Sequence, residues 1–434
     1  MSKIVQKLLS NGTTRLFSSS DSRSEYKRMI RSLTGENKSI KLESEMINES
    51  LLEQACEKLR GAKEINIIHD PSDIRKPHSK KTVNLGKVRS LNGDIINGYS
   101  THNSIAIEPG KREVHFLSHK LYSNNDELFL KREEINKLKK EVLFEGHEKA
   151  RKLYDSGEYF NKKTLSVDEI KKVGREFKKA NNKALITHIL DREFDDNQYI
   201  NVISEDLSQD YIIRAKKSRT IEEKREDGKK IKLIESDFTG RGEKVFQKLK
   251  IGDKVIQDGR MIISWDEFDK YNAVKIKVYN RKGESSFKDD MLILTNKKIK
   301  DLATAYQIYT TYLNRSKIEY VFKFLKEGLG WEKLQIQNFK AIQRLLSICF
   351  YAASYLYEIG EEKAYDDYAI PSGVMNATVS GLMSRSILNE QIAADAFHGS
   401  VYYEHLQEHD LSNWFLNEIT EQFVAGRGTV KFGR

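Results

Sequence analysis

The apolar pattern along this chain changes period twice. Residues 1 to about 60 read as helices. "DSRSEYKRMIRSL" opens on Asp21 and Ser22, whose short side-chain oxygens suit an N-cap. "ESEMINESLLEQACEKLRG" closes on Gly61, a residue type that suits a helix stop. At residue 64 the pattern becomes that of strands. "EINIIHD" is a short β-branched run ending in Asp70, and Pro71 removes a backbone donor, which predicts an end to regular pairing there. "GYSTHNSIAIEPG" (98–110) and "REVHFLSHK" (112–120) alternate as two more strands. Residues 131–155 predict one long charged helix, and "VDEIKKVGREFKKANN" (167–182) a second. "KALITHILD" is a fourth strand, again ending in an acid, Asp191, and "YIIRA" (211–215) a fifth.

From Lys216 to about Asp290 charge becomes dense, and "MIISW" and "AVKIKVYN" alternate like exposed antiparallel strands. This predicts a mostly β insertion. "MLILT" (291–295) returns to a buried strand, and a helix is expected from about Asp301 to Leu329. The remainder reads as mainly helical until the basic tail "GRGTVKFGR". The pattern as a whole is that of an α/β core with a β insertion and helical ends.

Composition narrows the class. With 434 residues the chain has room for about two or three folding units. Its 74 Lys and Arg outweigh 64 Asp and Glu by 10 charges, which favours a polyanionic partner. Cys56 and Cys349 lie too far apart in sequence to suggest a disulfide framework or a metal knuckle, so a reducing cytoplasm fits best. The first residues lack a long apolar run, so no secretory signal is expected. The most apolar stretch, "LLSICFYAASYLY" (345–357), falls short of the ~20 residues that span a bilayer and reads as a buried helix.

The chemistry starts from the acids at strand ends. In open α/β sheets, functional groups gather where strands end at their carboxyl termini. Asp70 and Asp191 on neighbouring strand ends would supply oxygen ligands for hard divalent cations. A two-metal site that clamps both oxygens of a phosphoryl transfer usually needs a third carboxylate. The plainer alternative makes Asp191, Asp195 or Asp196 a helix cap. His69 and His188 read as hydrogen-bonded core residues. Asp73 competes with Asp70 for the first position, but it lies past Pro71 and is expected in a turn. In "YLNRSKIEYVFKFLK", Tyr312, Arg315, Glu319 and Lys326 recur at three, four and seven residues and would share one face of a single helix, beside an apolar stripe of Ile318, Phe322, Leu325 and Leu329. An ordinary surface ion-pair stripe has the same spacing. A Glu ringed by Tyr, Arg and Lys is also what phosphate chemistry would want, the Glu for metal and the cations for phosphates.

Tyr-x2-Arg-x3-Glu-x6-Lys, unbroken at Tyr312, Arg315, Glu319 and Lys326, resembles the YREK signature of DDE transposases of bacterial insertion sequences, the insertion-sequence-four group. "ITHILDREFDD" and "IIHDPSDIRK" resemble the blocks around that family's second and first Asp. The resemblance covers about residues 60 to 355 and implies an α/β ribonuclease-H-like catalytic core. It implies that Asp70, Asp191 and Glu319 bind two Mg²⁺ ions, with Mn²⁺ able to substitute. Tyr312, Arg315 and Lys326 would contact the DNA backbone at the transposon end. Related enzymes place an aromatic residue before the "LLLT"-like strand to support a flipped base. Met291 holds that place here, with Trp265 as an alternative stacking group.

The expected organisation is a helical DNA-end-binding domain (1–60), a catalytic domain (61–330) interrupted by the β-rich insertion (216–290), and a helical C-terminal region (331–434) for dimerisation. The expected function is cut-and-paste DNA transposition. Its partners would be the terminal inverted repeats and target DNA, its state in the DNA complex a homodimer, and its location the bacterial cytoplasm, on the nucleoid and not in a membrane. The alternatives are a metal-dependent DNA nuclease or a host-adapted DNA-binding protein that no longer transposes. "RKPHSKKTVNLGKVR" (75–89) and 214–232, the latter led by Arg214, Lys216 and Arg219, would track phosphates. Asp195 and Asp196 are expected as solvated acids at a helix start, where the macrodipole favours them.

Overall fold

The computed structural model describes residues 4–5, 7–8, 13–35, 43–222, 230–251 and 254–361. The basic tail, the expected helices beyond residue 361 and part of the 214–232 segment lie outside the described residues.

The strands are β1 (Glu64–Arg75), β2 (Gly86–Arg89), β3 (Ile95–Ile107), β4 (His115–Tyr122), β5 (Leu185–Leu190), β6 (Asp210–Arg214), β7 (Thr220–Glu222), β8 (Lys230–Lys232), β9 (Gly240–Ile251), β10 (Lys254–Phe268), β11 (Tyr271–Tyr279) and β12 (Met291–Thr295). Ten of them form one sheet in the order β2-β3-β1-β5-β6-β12-β11-β10-β9, with β4 pairing β3. At its centre β1, β5 and β6 run parallel. Their side chains are buried on both faces, as a parallel sheet covered by helices requires. The β-rich 216–290 stretch extends this sheet, since β11 pairs with β12. Trp265 on β10 packs half-buried against the core, with Gly240 so close that a Cβ there would overlap its ring.

The helices used below are α1 (Arg23–Thr34), α2 (Ser44–Lys58), α3 (Arg132–Lys139), α4 (His147–Ser156), α5 (Lys162–Ala180), α6 (Leu302–Leu313), α7 (Ser316–Lys323) and α8 (Phe339–Glu361). Ser22 caps α1 by accepting the Glu25 amide, as its position in the sequence predicts. The N-terminal helices do not stand apart. Met29 and Leu33 of α1 and Ile47 and Leu51 of α2 share one core with Leu345, Phe350 and the α8 face, against Ile68 and Ile74 of β1. On the other face of the sheet, Val173 and Phe177 of α5 pack on Ile65, Ile67 and Ile186.

Four expectations need correction. Pro71 does not end β1, which runs on to Arg75 as a partner of β3. Only the parallel ladder to β5 stops, at His69–Leu190, so β1 needs one neighbour rather than two beyond that level. Asp73 is therefore on a strand, not in a turn, and accepts a hydrogen bond from Ser100 at 3.0 Å. Residues 131–155 form two helices, because Glu141 and Gly146 take left-handed backbone conformations between them. The helix expected from 301 to 329 is broken twice. Asn314 donates to Thr311, Arg315 to Tyr312, Lys317 to Asn314 and Ile318 to Arg315, i→i−3 bonds that tighten the chain between α6 and α7. A π-helical turn then covers Phe324–Gly328. Tyr312, Arg315, Glu319 and Lys326 thus do not share one continuous α-helical face. Among the described residues no helix is long and apolar enough to cross a membrane.

Candidate active site

The last parallel pair between β1 and β5 is His69–Leu190. One residue further along each chain stand Asp70 and Asp191. The apolar runs that bury these strands therefore deliver two carboxylates side by side where the β1–β5 ladder ends, Asp70 within β1 and Asp191 just past β5. Asp191 is half-buried and accepts the Glu193 amide at 2.5 Å, capping a 3₁₀ turn over Arg192–Phe194. Asp70 is buried. Burial pushes its carboxyl up to about 8 against the downward pull of Arg315, while Asp191, Glu319 and Glu193 push it further up. Asn103, opposite Asp70 on β3, donates to the Asp70 carbonyl at 3.3 Å and joins it to Thr101 and His119.

Arg315 and Glu319 come from the other side. Arg315 lies at the α6–α7 junction and donates to Asp70 Oδ2 at 3.2 Å. Its second amino group pairs with Glu319. The Glu319 side chain is 53% exposed, whereas that of Arg315 is 17% exposed and that of Asp70 12%. One guanidinium thus bridges a buried and an exposed carboxylate.

The remaining expected DNA-contacting residues are scattered around these acids. Tyr312 is buried, and burial raises its phenol while Arg315 and Arg214 oppose that. Met291 and Arg214 border a cavity of about 190 Å³, into which the Tyr309 side chain also faces. The Tyr309 hydroxyl is buried with no hydrogen-bond partner among the described residues. Lys326 sits in the π-helical turn 3.9 Å from Glu332, which also accepts the Arg75 amide at 3.1 Å. Lys216 and Arg219 are engaged internally. The Lys216 amide donates to Asp195 Oδ2 at 2.7 Å, and Arg219 donates to Asp195 Oδ1 at 3.0 Å and lies over the Tyr271 ring. Asp195 is consequently buried, a correction to the solvated acid expected there. Asp196 does cap the next helix, accepting the Gln198 amide, and pairs with Lys163 at 2.6 Å.

Behind the acids, on the α5 face, lies a layer of neutral histidines. His69 Nε2 meets His188 Nδ1 at 2.9 Å, and His188 Nε2 meets Gln209 at 2.7 Å. Gln209 in turn donates to the Gly174 carbonyl of α5. A side chain at Gly174 would run into Gln209 and Leu207, so the close approach of α5 needs glycine. His102 stacks on His69 and bonds Ser166. Burial lowers all three imidazoles, His188 to about 4 and His102 to about 3. The core role expected of His69 and His188 agrees with these bonds. His102 and Asn103 were not legible as members, because only the β1–β3 register places them beside His69 and Asp70.

As donors, Asp70, Asp191 and Glu319 are all carboxylates, the ligand chemistry that Mg²⁺ or Mn²⁺ takes. Among the described residues no three metal-ligating side chains converge closely enough to hold an ion. Arg315 lies where Asp70 and Glu319 would otherwise meet.

Residues 163–355, less than half of the chain, match the family model described as the transposase DDE domain. The match supports a DDE transposase core of the ribonuclease-H-like kind over that stretch. It contains Asp191, Met291, Tyr312, Arg315, Glu319 and Lys326, while Asp70 precedes it. Residues 333–420 match a second family, the tellurite-like stress resistance cysteine protease StiP. The cysteine protease StiP of Acinetobacter baylyi is 40% identical over 65 residues, which is 13% of this chain. The chain spans 17% of the length of that relative.

Proposed function

We propose that this chain is a DNA transposase of the YREK group that cleaves the ends of its element and joins them to target DNA. The observation that carries this reading is the register of β1 and β5, which sets Asp70 beside Asp191 with Glu319 tied to the same cluster through Arg315. The three acids would hold two divalent ions, Mg²⁺ or Mn²⁺, which when bound supply Lewis-acid polarisation and lower the pKa of a nucleophilic water. The chain's own residues do the rest. Burial of Asp70 leaves its charged form poorly solvated, and a nearby cation such as Arg315 favours that form. Arg315 and Tyr312 would grip the phosphate next to the cut, and Lys326 the strand beyond it. Holding the scissile phosphate in line with the attacking oxygen is where most of the protein's contribution lies.

Two surfaces extend the DNA path in this reading. Arg75, Lys76, Lys80 and Lys81 line a groove of about 570 Å³ against Glu332 and residues 334–337. The cavity beside Met291 exceeds the ~150 Å³ apolar cavity that holds benzene in an engineered core, so it has room for an unstacked base. Two chains would pair to hold two element ends, in the bacterial cytoplasm.

A cysteine protease is less well supported. Cys349, the cysteine within the StiP-matched stretch, is fully buried in α8, and burial raises its thiol; Cys56 is buried too, its thiol pushed up to about 12. Neither is the exposed, acidified thiol that nucleophilic catalysis needs. The test is incubation of purified protein with Mn²⁺ and a plasmid carrying the element's ends. Excision and strand-transfer products are expected. Cleavage without joining would indicate a nuclease, and binding without cleavage a DNA-binding protein that no longer transposes.

A further inference from the structure

We propose that Arg315 is a removable counter-ion of the acid cluster: in the DNA-free protein its guanidinium occupies Asp70 and Glu319, and a DNA phosphate draws it away, so that metal binding is coupled to DNA binding. This rests on the reading of Asp70, Asp191 and Glu319 as metal ligands. The geometry is specific. A single side chain spends its two amino groups on two carboxylates that the metals would need, one at 3.2 Å and buried, the other half-exposed. Asp70 has no other cation within ion-pair distance among the described residues.

The exchange conserves bonding. A guanidinium presents a planar fork that matches a phosphate as well as a carboxylate. Moving Arg315 from Asp70 and Glu319 to a phosphate therefore replaces charge-assisted hydrogen bonds with equivalent ones. The vacated acids are then open to a proton or a metal ion, since a buried unpaired carboxylate is costly, and a divalent ion can serve both acids at once. Glu319 offers the way in, because its exposed side places the Arg315 fork at the surface of the cluster. By linkage, whatever factor DNA adds to metal affinity, metal adds to DNA affinity. The device would keep the cluster poorly metallated until a substrate strand lies on it.

The test is a Mn²⁺ titration at fixed pH, followed by the electron paramagnetic resonance signal of free Mn²⁺, on wild type and Arg315→Gln. Without DNA, Arg315→Gln should bind Mn²⁺ about tenfold more tightly than wild type, within the usual range of coupling. Adding Asp70→Asn should remove that gain. A short mixed-sequence duplex should tighten Mn²⁺ binding in wild type and change it little in Arg315→Gln. Arg315→Lys, which keeps a charge but loses the fork, should fall between the two and carries the test if the glutamine variant does not fold. Equal Mn²⁺ affinity in wild type and both variants, still abolished by Asp70→Asn, would overturn the counter-ion role and leave the metal site standing. If no protein binds Mn²⁺ in a way that Asp70→Asn or Asp191→Asn abolishes, with or without DNA, the metal-site reading fails and the coupling with it.

Discussion

Arg315 and Asp70 meet at 3.2 Å across 245 positions of sequence. The contact ties the junction between α6 and α7 to the middle of β1, at the level where its ladder with β5 ends. It also fixes the orientation of Glu319, which the same guanidinium holds. The carboxylate cluster is therefore a tertiary object, assembled from β1, β5 and α7, and its consequences can be tested one group at a time.

Glu319→Gln keeps shape and removes charge. Its side chain is 53% exposed, so stability should change by no more than about 0.5 kcal/mol. Nicking of supercoiled DNA should fall by about 10³-fold or more, the scale of several kcal/mol of lost metal-assisted stabilisation. A melting curve and a plasmid assay read the two effects separately. Nicking that survives the change removes Glu319 from the metal site.

Lys80 and Lys81 line the groove that continues from β1. If both neutralise phosphates, replacing them with Ala should flatten the log–log salt dependence of DNA affinity by about 2, at ~0.9 per contact. Fluorescence anisotropy across a salt series measures this. An unchanged slope would place the DNA elsewhere.

The histidine layer predicts a pH effect. His188 drops from 6.5 to about 4 on folding, because burial disfavours the charged ring. The fold thus favours the neutral form. That stability is complete above pH 6.5 and is lost as pH falls toward 4. Between pH 7 and pH 5 the loss from one such histidine is about 2 kcal/mol. Buried carboxyls such as Asp70, raised on folding, act in the opposite direction. The clean measurement is therefore a difference, by denaturant unfolding: the advantage of wild type over His188→Asn should shrink by that amount as pH falls. A constant advantage would mean that the ring is not held neutral.

The thiols of Cys56 and Cys349 should react with a thiol reagent only as fast as the protein opens, since both are buried and both are raised by burial. Cys349→Ala should leave DNA cleavage intact. A fast-reacting thiol in the native protein would revive the protease reading.

The central strands were legible because their apolar runs are short, β-branched and end in an acid. "MLILT" appears as β12 with the expected bounds. What the pattern hid depends on long-range partners. Pro71 breaks no pairing, because β3 alone carries β1 past the end of β5. Asp195 is buried by Lys216 and Arg219, more than twenty residues on. The i→i−3 junction at Asn314 and Arg315 leaves no trace in apolar spacing, since Ile318 and Leu325 still reach the core around it. The strand pattern put Asp191 just past its strand but wrongly ended the other strand at Asp70, and the bridge that Arg315 makes between Asp70 and Glu319 needed the tertiary structure.

The most direct test of the central claim is anomalous diffraction from Mn²⁺ in a crystal of the protein bound to duplex DNA. Density shared by the Asp70 and Asp191 carboxylates is expected, with Glu319 in reach and Arg315 turned onto a phosphate. DNA seated on the protein with these three carboxylates free of Mn²⁺, or with Mn²⁺ bound only elsewhere, would contradict it.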